Sequence, residues 1–139
     1  MSLLLDTNVL SELNKKVLEP KVVTWFQNQK LSDCYLSVIT IGEIEQGIEA
    51  SRDAVKATNL QKWLEAIIQP RFSGHILPVD EAVIKRWGKL IGNAQKQGQP
   101  LPAIDTMLAA TALEHDFTLV TRNVVDVNRV PVKVFNPWF

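Results

Sequence analysis

Short apolar runs alternate along this chain with longer stretches in which apolar residues recur every three or four positions. The first run, residues 2–5, is continuously apolar through Leu3, Leu4 and Leu5, the pattern of a strand buried on both faces. It stops at Asp6, Thr7 and Asn8, and helical spacing takes over across 7–14. A second helix is predicted over 21–29, where Val22, Val23, Trp25 and Phe26 are apolar. Residues 34–37 predict a short strand feeding a helix over 38–50, with Ile41, Ile44 and Ile48 on one stripe. Residues 53–68 predict a further amphipathic helix, closed by Pro70. "HILPVD" (75–80) reads as a third short strand, and a helix over 81–97 follows until Gly98 and Pro100 break it. Pro102 suits the first turn of a helix running to His115. "FTLVT" (117–121) and "VKVF" (132–135) complete the strands. This βαβα alternation predicts one α/β domain over 1–139, a three-layer sandwich whose central, mostly parallel sheet is flanked by helices.

Composition narrows the picture only a little. Apolar residues make up 46 % and charged residues 22 %, as in ordinary globular domains. No run of about 18 apolar residues suggests a membrane span. No leader pattern opens the chain, and Cys34 has no second cysteine to pair with, so a cytoplasmic protein is expected. Lys plus Arg and Asp plus Glu both number 15, so contact with nucleic acid would need a local basic patch or a metal.

The acidic residues change more. In a parallel sheet the carboxyl ends of the strands lie along one edge, together with the helix N-termini that follow them. Asp6 follows the first strand, and Asp126 follows the strand ending "TLVTRN". Glu43 lies in the helix after the second strand, off the isoleucine stripe. Asp105 occupies the first turns of the helix near Pro102, on the side of Ala109 and Ala112. Each has a plain structural reading: an N-cap for Asp6, a helix-dipole partner for Asp105, a solvated Glu43, a loop residue at Asp126. Their common edge joins them. Convergent carboxylates repel unless a cation compensates them, and an all-oxygen set suits Mg²⁺ or Mn²⁺. Such an ion can polarise a phosphodiester, activate water and stabilise a leaving oxygen. Thr7, Asn8, Thr121 and Asn123 are placed to orient the carboxylates or bound water. Arg122, beside a strand end, is either a surface arginine or a phosphate contact, and Lys85, Arg86 and Lys89 pose the same choice.

Four blocks, "LLLDTNVL", "SVITIGEIEQG", "LPAIDTMLAATALEHD" and "LVTRNVVDV", resemble in order those of PIN-domain proteins of the VapC toxin type. The ending "VFNPW" is similar to that of the FitB-like branch. The resemblance implies a PIN fold and Mg²⁺- or Mn²⁺-dependent cleavage of RNA, with single-stranded or looped RNA the better fit to a shallow cleft. It also implies a homodimer, a cognate antitoxin protein, and DNA contact only indirectly through that antitoxin. Metal-site roles pass to Asp6, Glu43, Asp105 and Asp126, with Thr121 and Asn123 near the metal. Members often carry an aromatic residue after the fourth acid; Val127 stands there, so Asp126 ranks below the other three.

Rival readings remain at this point: a non-catalytic binding module, and a metal-dependent phosphatase with Asp6 as nucleophile. The latter expects a second Asp two positions on, where Asn8 stands. His75 and His115 lack ligand spacing, and neither a G-x-S-x-G elbow nor a phosphate-binding glycine loop is present. Trp25, Trp63 and Trp87 read as core or interface anchors, and Trp138 as an exposed aromatic suited to a dimer interface.

Overall fold

In the computed structural model, which describes residues 1–139, five strands form one sheet. They are β1 (Leu3–Leu5), β2 (Cys34–Ser37), β3 (Ile76–Leu77), β4 (Thr118–Val120) and β5 (Val134–Phe135). Their order is β3-β2-β1-β4-β5 and every neighbouring pair is parallel, so the sheet is wholly rather than mostly parallel. The helices are α1 (Thr7–Leu13), α2 (Pro20–Gln27), α3 (Val38–Ala50), α4 (Ala54–Trp63), α5 (Gln69–Arg71), α6 (Glu81–Lys96), α7 (Ala103–His115) and α8 (Val124–Val127).

Strand alternation divides the core in two. Leu3, Leu5, Cys34, Leu36 and Val120 face one layer, where Val9, Val22, Ile44, Leu64, Ile68 and Phe72 meet them. Leu4 and Leu119 face the other, against Leu108, Ala109, Ala112, Val127 and Val130. Both layers are apolar, which is why "LLL" needs no polar alternation. The chain builds outward from β1 through β2 to β3, then returns to lay β4 on the far side of β1. The strand order therefore reverses between β1 and β4. Beyond the carboxyl ends of those two strands lies the crevice that open α/β sheets use for ligands.

Several boundaries differ from the sequence expectation. Pro70 does not close the helix that begins after Asp53. After α4 the bonding widens to a π turn over Leu64–Ile68, and the chain continues helically through Pro70 to Arg71. The restarted turn places Pro70 among its first residues, where a missing N–H is tolerated. The third strand shrinks to two residues. Pro102 is the N-cap of α7 rather than a residue of its first turn. Asp126 lies in a short helix, α8, and not in a loop. Its neighbour Val127 is buried in the second core and pins that helix to the sheet.

Candidate active site

Asp6 extends β1 by one rung, its N–H donating to the Val120 carbonyl at 2.9 Å. Alternation turns its side chain to the Leu4 side, the same side to which Thr121 is turned after Leu119. The Thr121 hydroxyl donates to Asp6 Oδ2 at 2.7 Å, and Asn8 Nδ2 lies 3.3 Å from the same oxygen. Asp6 Oδ1 accepts the Thr7 N–H at 2.6 Å, so its side chain caps α1 at Thr7 instead of at Asn8 or Val9. Val9 N–H bonds the Asp6 carbonyl instead, at 3.1 Å. Asn8 completes the bridge, its Oδ1 accepting the Arg122 N–H at 3.3 Å, while Thr121 Oγ1 accepts the Asn123 N–H at 3.0 Å. Thr7, Asn8, Thr121 and Asn123 thus all take part in one network around Asp6.

Glu43 reaches this network through Thr7. The Thr7 hydroxyl donates to Glu43 Oε1 at 2.6 Å and lies 3.1 Å from the hydroxyl of buried Thr40. A hydroxyl has one proton to give, so Thr40 is the donor to Thr7. Thr40 was not singled out in the sequence. Its signal is the spacing: three residues before Glu43, it shares that side of α3.

Burial grades the four acids. Asp6 is buried, Asp105 half-buried, and Glu43 and Asp126 are exposed. Burial first, and the charge of Glu43 second among the raising influences, hold the Asp6 carboxyl above the usual carboxylate range against three hydrogen bonds that pull it down. Burial, then the charges of Asp6 and Asp126, raise Asp105. The charges thus run as a chain of neighbours from Glu43 to Asp6 to Asp105 to Asp126. None of them is in an ion pair; the four ion pairs of the chain use Glu12, Glu81, Glu114 and Asp116.

The donor set fits a hard divalent cation: oxygens only, partly desolvated, with no cationic side chain to balance them. No three of these groups close into a finished ligand cage. A cation that keeps several of its waters does not need one. The edge is also open. A hollow of about 630 Å³, lined by Asn14, Lys16, Asp53 and Lys56 among others, lies elsewhere.

An α/β domain with carboxylates gathered at the reversal point of a parallel sheet presents an oxygen donor set suited to a divalent cation at that edge. The PIN domain matches residues 3–131, and the chain belongs to the PIN domain family. It is 38 % identical over 136 residues to Toxin FitB of Neisseria gonorrhoeae, covering 98 % of each chain. It is 32 % identical over 136 residues to VapC ribonuclease Y4jK of Sinorhizobium fredii, covering 98 % of this chain and 97 % of that one. Its fold matches the solved structure of FitAB bound to an IR36 DNA fragment with a TM-score of 0.90 at 37 % identity, over 99 % of this chain and 96 % of the other.

Of the candidate phosphate contacts on α6, Lys85 pairs with Glu81 at 2.9 Å and Arg86 with Glu114 at 2.8 Å, while Lys89 has no ion-pair partner. Arg122 is likewise free of carboxylates and lies beneath the Trp138 ring. The histidines stand apart from the acidic edge. His75 Nδ1 is 3.0 Å from the Cys34 carbonyl and its ring stacks on Tyr35, whereas His115 packs against Phe117. Trp25 and Trp63 pack on the first core, and Trp87 Nε1 donates to the Ala103 carbonyl at 2.9 Å, tying α6 to the start of α7. Trp138 is half-buried against that first core, not the exposed end expected of it.

Proposed function

We propose that this chain is a divalent-metal-dependent endoribonuclease and the toxin of a toxin–antitoxin pair. The observation that carries the reading is the set of four carboxylates without ion-pair partners at the sheet's reversal point, with burial and neighbouring charge raising Asp6 and Asp105 among them. Asp6 and Asp105 would be the principal ligands of Mg²⁺ or Mn²⁺, with Glu43 and Asp126 completing the set. The bound ion supplies Lewis acidity to a phosphodiester and acidifies its water. The chain's own residues do the positioning. Thr121, Asn8 and the Thr7 N–H fix the Asp6 carboxylate, and the Thr7 hydroxyl holds Glu43 toward the edge. Arg122, one residue beyond Thr121 and exposed, would contact a phosphate of the substrate.

A relative named as a toxin and a related complex solved on DNA support a cognate antitoxin as partner. Any DNA contact is assigned to that antitoxin, as the resemblance to these toxins implies. We also read the chain as one domain and as a cytoplasmic homodimer. The structure speaks against the phosphatase rival. Asn8 is held between Asp6, Thr121 and the Arg122 N–H, and an amide does not serve as general acid for a leaving group.

The test is cleavage of a mixed single-stranded RNA pool by the purified chain with Mg²⁺, with Mn²⁺ and with EDTA, beside Asp6→Asn. Metal-dependent internal cuts, lost in the variant, are expected. RNA left intact under both metals would point instead to a module that acts by binding alone.

A further inference from the structure

Arg122 is an exposed cation one residue from the hydroxyl that binds Asp6, and its own N–H bonds Asn8. A flexible arginine beside four unpaired carboxylates is expected to fall onto one of them. It does not: no carboxylate lies within ion-pair distance of its guanidinium. The guanidinium carbon instead lies 5.2 Å from the centroid of the Trp138 ring, within the range of a cation–π contact.

The ring is held firmly. Trp138 packs against the first core, its N–H donates to Asn136 Oδ1 at 2.9 Å, and Pro137 before it is buried. The preceding strand is anchored as well. The Phe135 carbonyl accepts the Thr121 N–H at 3.0 Å, and the Phe135 ring stacks on Trp25 at 5.5 Å. The Trp138 platform and the Thr121 hydroxyl are thus joined through one ladder bond between β4 and β5.

A guanidinium held over a ring in this way keeps its charge, and its N–H donors stay free for an oxygen ligand. Resting on Trp138, Arg122 neither neutralises the carboxylates nor competes with their cation. We propose that Trp138 is a positioning residue that holds Arg122 clear of the acidic edge as the phosphate-binding cation for single-stranded RNA. This rests on the reading above in its binding part, that single-stranded RNA is what the acidic edge receives.

The experiment is a binding titration, by fluorescence anisotropy, of a labelled 12-nucleotide single-stranded RNA across a range of salt in EDTA, with Mn²⁺ cleavage run in parallel. Arg122→Ala should weaken binding about tenfold and flatten the log–log salt slope by about 0.7, the loss of one phosphate contact. Trp138→Phe keeps an aromatic face and should bind as the parent does. Trp138→Leu keeps apolar bulk but no π face; it should reproduce most of the Arg122→Ala loss, and add nothing in an Arg122→Ala background. Parental binding by Trp138→Leu, or a loss that persists undiminished without Arg122, overturns the positioning role. Should Trp138→Leu not fold, Arg122→Ala decides alone, because unchanged affinity and slope there remove the phosphate contact on which the proposal depends. A parent that does not bind the RNA overturns it too. A parent that binds as expected but cuts nothing overturns the nuclease reading and leaves this one standing.

Discussion

Asp6 and Asp105 share a raised carboxyl pKa but not a setting. Asp6 accepts three hydrogen bonds that partly offset its burial, while Asp105 sits between the charges of Asp6 and Asp126. An acid whose pKa is raised by folding disfavours the folded state once it must ionise. The penalty is absent below the ordinary value of 3.8 and grows as pH rises through the raised folded value. Asp105→Asn removes the charge, and in EDTA at neutral pH it should melt a few degrees above the parent, with the gap closing as pH falls toward 4. Thermal melts followed by circular dichroism across that range decide it; a variant that melts lower at neutral pH shows that burial and the neighbouring charges do not penalise an ionised Asp105. Asp6→Asn should give no such gain, because an amide would face the Thr121 hydroxyl and the Asn8 amide that now donate to Oδ2. At this scale the sequence was most informative where an acid follows an element boundary, as with Asp6 after β1. Thr40 escaped notice and Trp138 was read as an exposed end, because a buried threonine and an aromatic near a strand end are ordinary in any domain. Only their partners distinguish them.

Among the elements, α7 carries the tightest fit. Ala109 and Ala112 are fully buried against Leu4 and Leu119, and a larger side chain there would push the helix, and Asp105 with it, away from the sheet. Ala112→Leu should cost about 1–3 kcal/mol in urea unfolding. It should also weaken metal binding through Asp105, although position 112 is two turns away. The ends of the long helices were legible because they carry chemical markers. Gly98 at φ +69° stops α6, and its N–H bonds the Gln95 carbonyl at 3.0 Å. Asp116 makes a similar left-handed exit from α7 at φ 56°, a conformation that Asp tolerates better than most residues. The π turn and α8 were not legible. A π turn changes the phase of backbone bonding without disturbing the apolar pattern, and α8 is too short to show a period.

The molecule as a whole turns on one junction, the place where β4 returns to β1. Its carboxylates are uncompensated without metal, so added Mg²⁺ or Mn²⁺ should raise the melting temperature, by an amount that grows with concentration and shrinks toward acid pH as protons compete. Differential scanning calorimetry with and without millimolar metal tests this; an unmoved transition speaks against a metal centre at that edge. The α/β class and the parallel sheet could be read from alternating runs, but the strand order could not, since nothing local in β1 states which strand will lie on either side. That order has a consequence in time. Asp6 and Thr121 are 115 residues apart, and at about 5–20 residues per second of synthesis the hydroxyl follows the carboxylate by roughly 6 to 23 s. Until then β1 has no β4 beside it and the acidic edge has only one wall. On the proposed reading, a growing chain would therefore carry Asp6 for most of its birth without being able to cut anything, and would become an active agent only when nearly all of it exists.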